Sequence, residues 1–176
     1  MNDFREIKPG GRPFTRMYLQ FMLWFVGRAI QAAAKVDPQV REEFDALPDG
    51  FSCALTAAPD GPSMVVGKNE MGTVKYMGGS VDGLDLDVKM TAKSMEGLFT
   101  LFTFRESTPM ANARDRLFVE GDIPHVCSVL RVLDIVQVYL LPKPVAKLAI
   151  KRYPQWSWKR HSWDRAMVNL RAVIGL

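Results

Sequence analysis

The sequence predicts an α+β fold: a largely antiparallel sheet with one dry face, covered by helices. Three observations carry that reading. The run "LDLDVKMTA" (84–92) alternates strictly, with Leu84, Leu86, Val88 and Met90 directed inward and Asp85, Asp87, Lys89 and Thr91 outward. Such period-two alternation marks a strand buried on one side only. Directly after it, "SMEGLFTLFTF" (94–104) sets Met95, Leu98, Phe99 and Phe102 at the i, i+3, i+4, i+7 spacing of a helix that covers such a face. Finally, 176 residues with 48% apolar content can bury a sizeable core in one domain.

The elements follow in order. "RPFTRMYLQFMLWFVGRAIQAAAK" reads as a helix from about Phe14 to Lys35, with Arg16, Gln20, Gly27, Gln31 and Lys35 forming a narrow polar stripe. A helix this apolar is covered on most sides by protein, lipid or a partner. Met17–Val26, behind Arg5, Lys8, Arg12 and Arg16 and ahead of "QAAAK", has the outline of a secretion signal. The length of the basic region and the interruption at Gln20 argue against cleavage. A cytoplasmic location, peripheral to the membrane, is the expectation. No apolar stretch reaches the ~18 residues needed to span a bilayer. Asp37 and Pro38 suit the N-cap and first position of a short helix ending near Pro48.

Strands come next. "FSCALTAA" (51–58) places Phe51, Cys53, Leu55 and Ala57 on one face, "PDGP" (59–62) is a turn, and "SMVVGKN" and "TVKYMGG" are two further extended runs. After the alternating strand, Ser94 caps the helix described above. An "ESTPMANA" connection leads to the strand "RLFV" and then to a helix from Ile123 to about Tyr139, whose polar stripe is Arg131, Asp134 and Gln137. Two helices are thus apolar beyond the face that a sheet can cover.

The net charge of +4 hides an asymmetry. Pro142 to Leu176 holds eight Lys or Arg and one acid, Asp164, so the basic character belongs to the tail. There Trp156, Trp158 and Trp163 interleave with Lys159, Arg160 and Arg165. Indoles with cations suit an anionic membrane surface, and the competing reading is a basic helix packed on its own domain. Nucleic acid is a weak third reading. Cys53 and Cys127 lie far apart in apolar segments and read as small core residues in a reducing compartment.

"RLFVEGDIPHV" (116–126) is the densest cluster of chemistry-bearing residues, with Glu120, Asp122 and His125 within six positions. Gly121 supplies a tight corner, Asp122 fits an N-cap, and Pro124 fits a first helical turn. The segment therefore reads as a strand-to-helix joint, not as a metal or acid–base site. "GPSMVVGKN" lacks phosphate-loop spacing, and two histidines with no G-x-S-x-G elbow leave little for nucleophilic catalysis. Asp85 and Asp87 read as a solvated pair. Neither enzyme nor cofactor is expected.

Taken in order, "DLDVKMTAKSMEGLFTLF", a proline-containing connection and "ARDRLFVEGDIPHVCSVL" resemble the sterol carrier protein type 2 (SCP-2) domain over roughly Phe51 to Gln137. The resemblance implies a five-stranded, mostly antiparallel sheet with helices packed over one face, enclosing an apolar tunnel for fatty acyl chains, sterols or related lipids. It divides the chain into an N-terminal helical extension (1–48), a lipid-binding domain (49–141) and a basic C-terminal extension (142–176).

The expected function is therefore non-catalytic carriage of a lipid-like molecule, with Met90, Leu98, Phe99, Phe102, Leu130 and Leu133 lining its site. Burying a chain of about sixteen carbons would gain roughly 12 kcal/mol before ordering costs. The alternative is an interaction module or homodimer whose apolar helices dock each other with no tunnel. A continuous apolar cavity separates the two.

Overall fold

Strand β1 (Ser52–Ala57) runs through the middle of a five-stranded sheet of order β3-β2-β1-β4-β5, in a computed structural model that describes residues 13–103, 113–140 and 165–174. β2 (Ser63–Lys68), β3 (Val74–Gly78), β4 (Val88–Ala92) and β5 (Leu117–Gly121) complete it. Three of the four pairings are antiparallel, and β1 pairs with β4 in parallel, so that Leu55 lies beside Met90. The fold is α+β with a mostly antiparallel sheet, as expected.

One face of the sheet carries Cys53, Leu55, Met64, Val66, Val88 and Met90 into a single buried cluster. Helices α1 (Pro13–Val36), α3 (Met95–Phe102) and α4 (Ile123–Leu140) cover that face, with α2 (Pro38–Asp45) and α5 (Arg165–Ile174) packed around them. The opposite face presents Lys75, Met77, Lys89 and Phe118 at or near the surface.

Local chemistry explains where the elements start. The Asp37 carboxylate accepts the N–H of Gln39 at 2.8 Å and caps α2, and the Ser94 hydroxyl oxygen accepts the N–H of Gly97 at 3.0 Å and caps α3. Asp122 stands at the start of α4, its carbonyl accepting the N–H of Val126 at 2.9 Å. Gly121 has φ +129°, and a Cβ there would lie 2.3 Å from the Asp87 carbonyl oxygen, so the corner requires glycine.

Helix α1 belongs to the same core as the sheet. Leu19, Leu23, Ala29, Ile30 and Ala33 are fully or almost fully buried. Part of its polar stripe packs on protein. Gly27 is buried against the Tyr76 ring, where a Cβ would lie 2.4 Å from Cδ2, and Gln31 Oε1 accepts the N–H of Tyr76 at 3.0 Å. The stripe reads onto edge strand β3, because a small residue and an amide are what a helix needs to approach an open strand.

Four further expectations need correction. The alternating strand begins at Val88 rather than Leu84, and Leu84 is exposed. The preceding residues are held to β1 by side chains instead: the Asp87 carboxylate accepts the Ser52 N–H at 2.8 Å, and the Ser52 hydroxyl donates to the Asp85 carbonyl at 3.1 Å. Asp87 is thus a structural acceptor and not merely solvated. Cys127 is exposed, whereas Cys53 is buried as expected. Lastly, α4, at 18 residues, is long and apolar enough by composition to cross a bilayer. A run whose only formal charges are Arg131 and Asp134 still qualifies. Here Val129, Val132, Leu133 and Val136 are buried in the core, and Arg131 pairs with Glu43 of α2 at 3.2 Å.

Candidate functional site

Between the sheet and its helices the described residues line an apolar cavity of about 180 Å³. Its floor is the parallel strand pair, with Leu55 of β1 and Met90 of β4, joined by Leu117 of β5. α1 contributes Phe21, Met22, Phe25 and Val26, and α3 contributes Leu101 and Phe102. α4 closes it with Leu133, Val136, Gln137 and Leu140. Gln137, one of the three residues of the α4 polar stripe, is the one polar side chain in this wall.

The residues expected to line the site are divided by the structure. Met90, Phe102 and Leu133 are brought together on the cavity wall. Leu98 is fully buried in the core and Leu130 half-buried at its edge, neither of them on that wall. Phe99 turns toward α1, where its ring meets Tyr18 edge-on at 5.5 Å. The sequence shows that α3 is apolar on several sides but not its rotation about its axis, which puts Leu101 on the cavity instead of Phe99. The four α1 residues were missed altogether. Their only signal was that α1 carries more apolar surface than one face needs.

Beside the cavity, between the outer side of α1 and the ends of β2 and β3, lies a groove of about 480 Å³. Arg16, Gln20, Trp24, Ser63 and Tyr76 give it a mixed polar and aromatic wall. Phe21 lines both the groove and the cavity and is 57% exposed. Arg28 lies over the Trp24 ring at 5.3 Å. Burial pushes the Tyr76 hydroxyl above its ordinary pKa, while the Arg28 cation works in the opposite direction.

The strand-to-helix segment does not assemble a site. Glu120 reaches Lys89 across the strands at 4.0 Å, Asp122 is exposed at the helix start, and His125 meets the Phe51 ring edge-on at 5.6 Å. Among the described residues, no group of three or more His, Cys, Asp or Glu side chains is gathered as a metal would require. Trp156, Trp158, Lys159, Arg160 and Trp163 lie outside the described residues. Arg165 opens α5 without a described side chain.

The arrangement is thus a mixed five-stranded sheet under a helical layer, with an apolar chamber between them. No family model and no curated protein matches the sequence. Among solved structures, the chain is similar to a UbiJ-SCP2 ubiquinone synthesis protein, at 19% identity over 71% of this chain and 97% of that one, with a TM-score of 0.42. It is also similar to sterol carrier protein 2 of Yarrowia lipolytica in its apo form, at 16% identity over 74% and 96% of the two chains, TM-score 0.46. Sterol carrier protein 2-like 2 of Aedes aegypti is a third, at 14% identity over 69% and 99%, TM-score 0.41.

Proposed function

We propose that the protein is a non-catalytic binder of a lipid-like molecule, a fatty acyl, sterol or isoprenoid compound whose hydrocarbon part occupies the cavity between the β1–β4 pair and helices α1, α3 and α4. The observation that carries this reading is the apolar lining: twelve of its thirteen side chains are hydrocarbon, aromatic or thioether, with Gln137 the exception. Such a chamber gains from any methylene it removes from water and offers no group for bond-making chemistry.

The volume sets a limit that the sequence did not foresee. An apolar cavity of ~150 Å³ takes a molecule the size of benzene, so about 180 Å³ accommodates about six carbons. At ~0.8 kcal/mol per methylene this is worth about 5 kcal/mol, short of the ~8 kcal/mol of micromolar affinity. The roughly 12 kcal/mol expected for a sixteen-carbon chain needs the helices to part or a second set of contacts.

Native mass spectrometry of freshly purified protein tests the reading, because a carried lipid adds a discrete mass that collisional activation removes. A chain that emerges bare and gains no mass from added fatty acids, sterols or isoprenoid alcohols would refute it. A concentration-dependent dimer without added mass would favour the docking of apolar helices instead.

A further inference from the structure

The groove outside Phe21 has features that the apolar cavity does not explain. Arg16, Gln20, Trp24 and Arg28 follow one another at four-residue intervals along one side of α1. The first three line the groove, and Arg28 stacks on the third. Neither Arg16 nor Arg28 forms an ion pair among the described residues. Arg28 Nε is buried with no hydrogen-bond acceptor, a costly arrangement for a guanidinium donor and a sign that an acceptor is missing. Across the groove, Tyr76 and Ser63 offer hydroxyl groups, although the Ser63 hydroxyl already donates to the Gly79 carbonyl at 2.6 Å.

We infer that this groove binds the anionic head, a carboxylate or phosphate, of an amphiphile whose hydrocarbon end passes Phe21 into the cavity. The inference rests on the proposed lipid-binding reading and deepens it. Two unpaired arginines on one helix side recognise anionic oxygens by charge-assisted hydrogen bonds, which are about twice as strong as neutral ones. The groove thereby supplies the second set of contacts that the small cavity requires. Phe21 sits at the boundary, where the ligand changes from polar to apolar.

The test uses the full chain and two fluorescent probes of one hydrocarbon, cis-parinaric acid and its neutral alcohol. The wild type should bind the acid about tenfold more tightly, the gain of one charge-assisted contact. Arg16→Gln, at an exposed position, and Arg28→Gln should each weaken the acid by about three- to tenfold while leaving the alcohol within about twofold. Competition by palmitate, hexadecyl phosphate and hexadecanol then identifies the head, since the better anionic competitor names it. Equal binding of acid and alcohol by the wild type would overturn this inference and leave the cavity reading standing. So would hexadecanol competing as well as both anions. Binding of neither probe would overturn the cavity reading, and this one with it.

Discussion

The Tyr139 hydroxyl donates a hydrogen bond to the Asp37 carboxylate, joining the last turn of α4 to the residue that caps α2. Both side chains are buried, although they lie 102 positions apart in sequence. One oxygen of the carboxylate caps the helix and the other receives the tyrosine. Tyr139→Phe should therefore lower unfolding stability by about 1.5–3 kcal/mol, the worth of a buried hydrogen bond to a charged group. Urea denaturation followed by circular dichroism measures it, and a loss below about 0.5 kcal/mol would show the bond to be dispensable.

Gly27→Ala sets two effects against each other. Alanine favours a helix interior by about 1 kcal/mol over glycine. Here the added Cβ would lie 2.4 Å from Tyr76 Cδ2 and 2.8 Å from Cε2, so either the ring or the helix must move. Overpacking of this kind costs ~1–3 kcal/mol, and the expected outcome is net destabilisation. A higher thermal midpoint in the variant would mean that the Tyr76 ring swings away freely.

The two cysteines should differ sharply in reactivity. Burial raises the Cys53 pKa to about 12, the Asp87 charge adds to the rise, and a hydrogen bond with the Val66 backbone opposes it. Cys127 is exposed. At pH 8 a disulfide reagent should modify one thiol per folded chain, at Cys127, and reach Cys53 only after denaturation. The same shift has a stability consequence. The native state holds this proton above the ordinary value of 9.0, so the contribution is complete below that pH and is lost as pH rises toward about 12. Rapid labelling of both thiols in the native protein would contradict this picture.

Two substitutions address the chamber from opposite sides. Val136→Phe adds a ring to the cavity wall and should reduce fatty-acid binding about tenfold with the fold retained. Phe21→Ala removes a ring that lines both groove and cavity, and stopped-flow displacement should show release several-fold faster. If Val136→Phe folds and binds as the wild type does, the ligand lies elsewhere.

Much of the architecture was legible in the sequence because its signals are local. The Ser94 and Asp37 caps and the apolar spacing of α3 depend on neighbouring residues alone. What escaped depends on partners distant in the chain. Leu84 looks inward by alternation, yet the Asp87–Ser52 hydrogen bonds end the strand before reaching it. Phe99 and Leu101 are equally apolar, and only the rotation of α3 against α1 decides which meets the cavity. Gly27 and Gln31 read only as part of a narrow polar stripe, and nothing in the sequence names β3 as what it packs on.

That contact between Gln31 and the backbone of Tyr76 bears on how the molecule avoids its own kind. β3 is an outermost strand, and an outermost strand offers unpaired backbone groups to any passing extended chain. By occupying one of those donors with a helix side chain, α1 denies that point of the edge to strand addition. Severing it, as Gln31→Leu would, should make the protein more prone to ordered self-association even where its folding stability hardly changes.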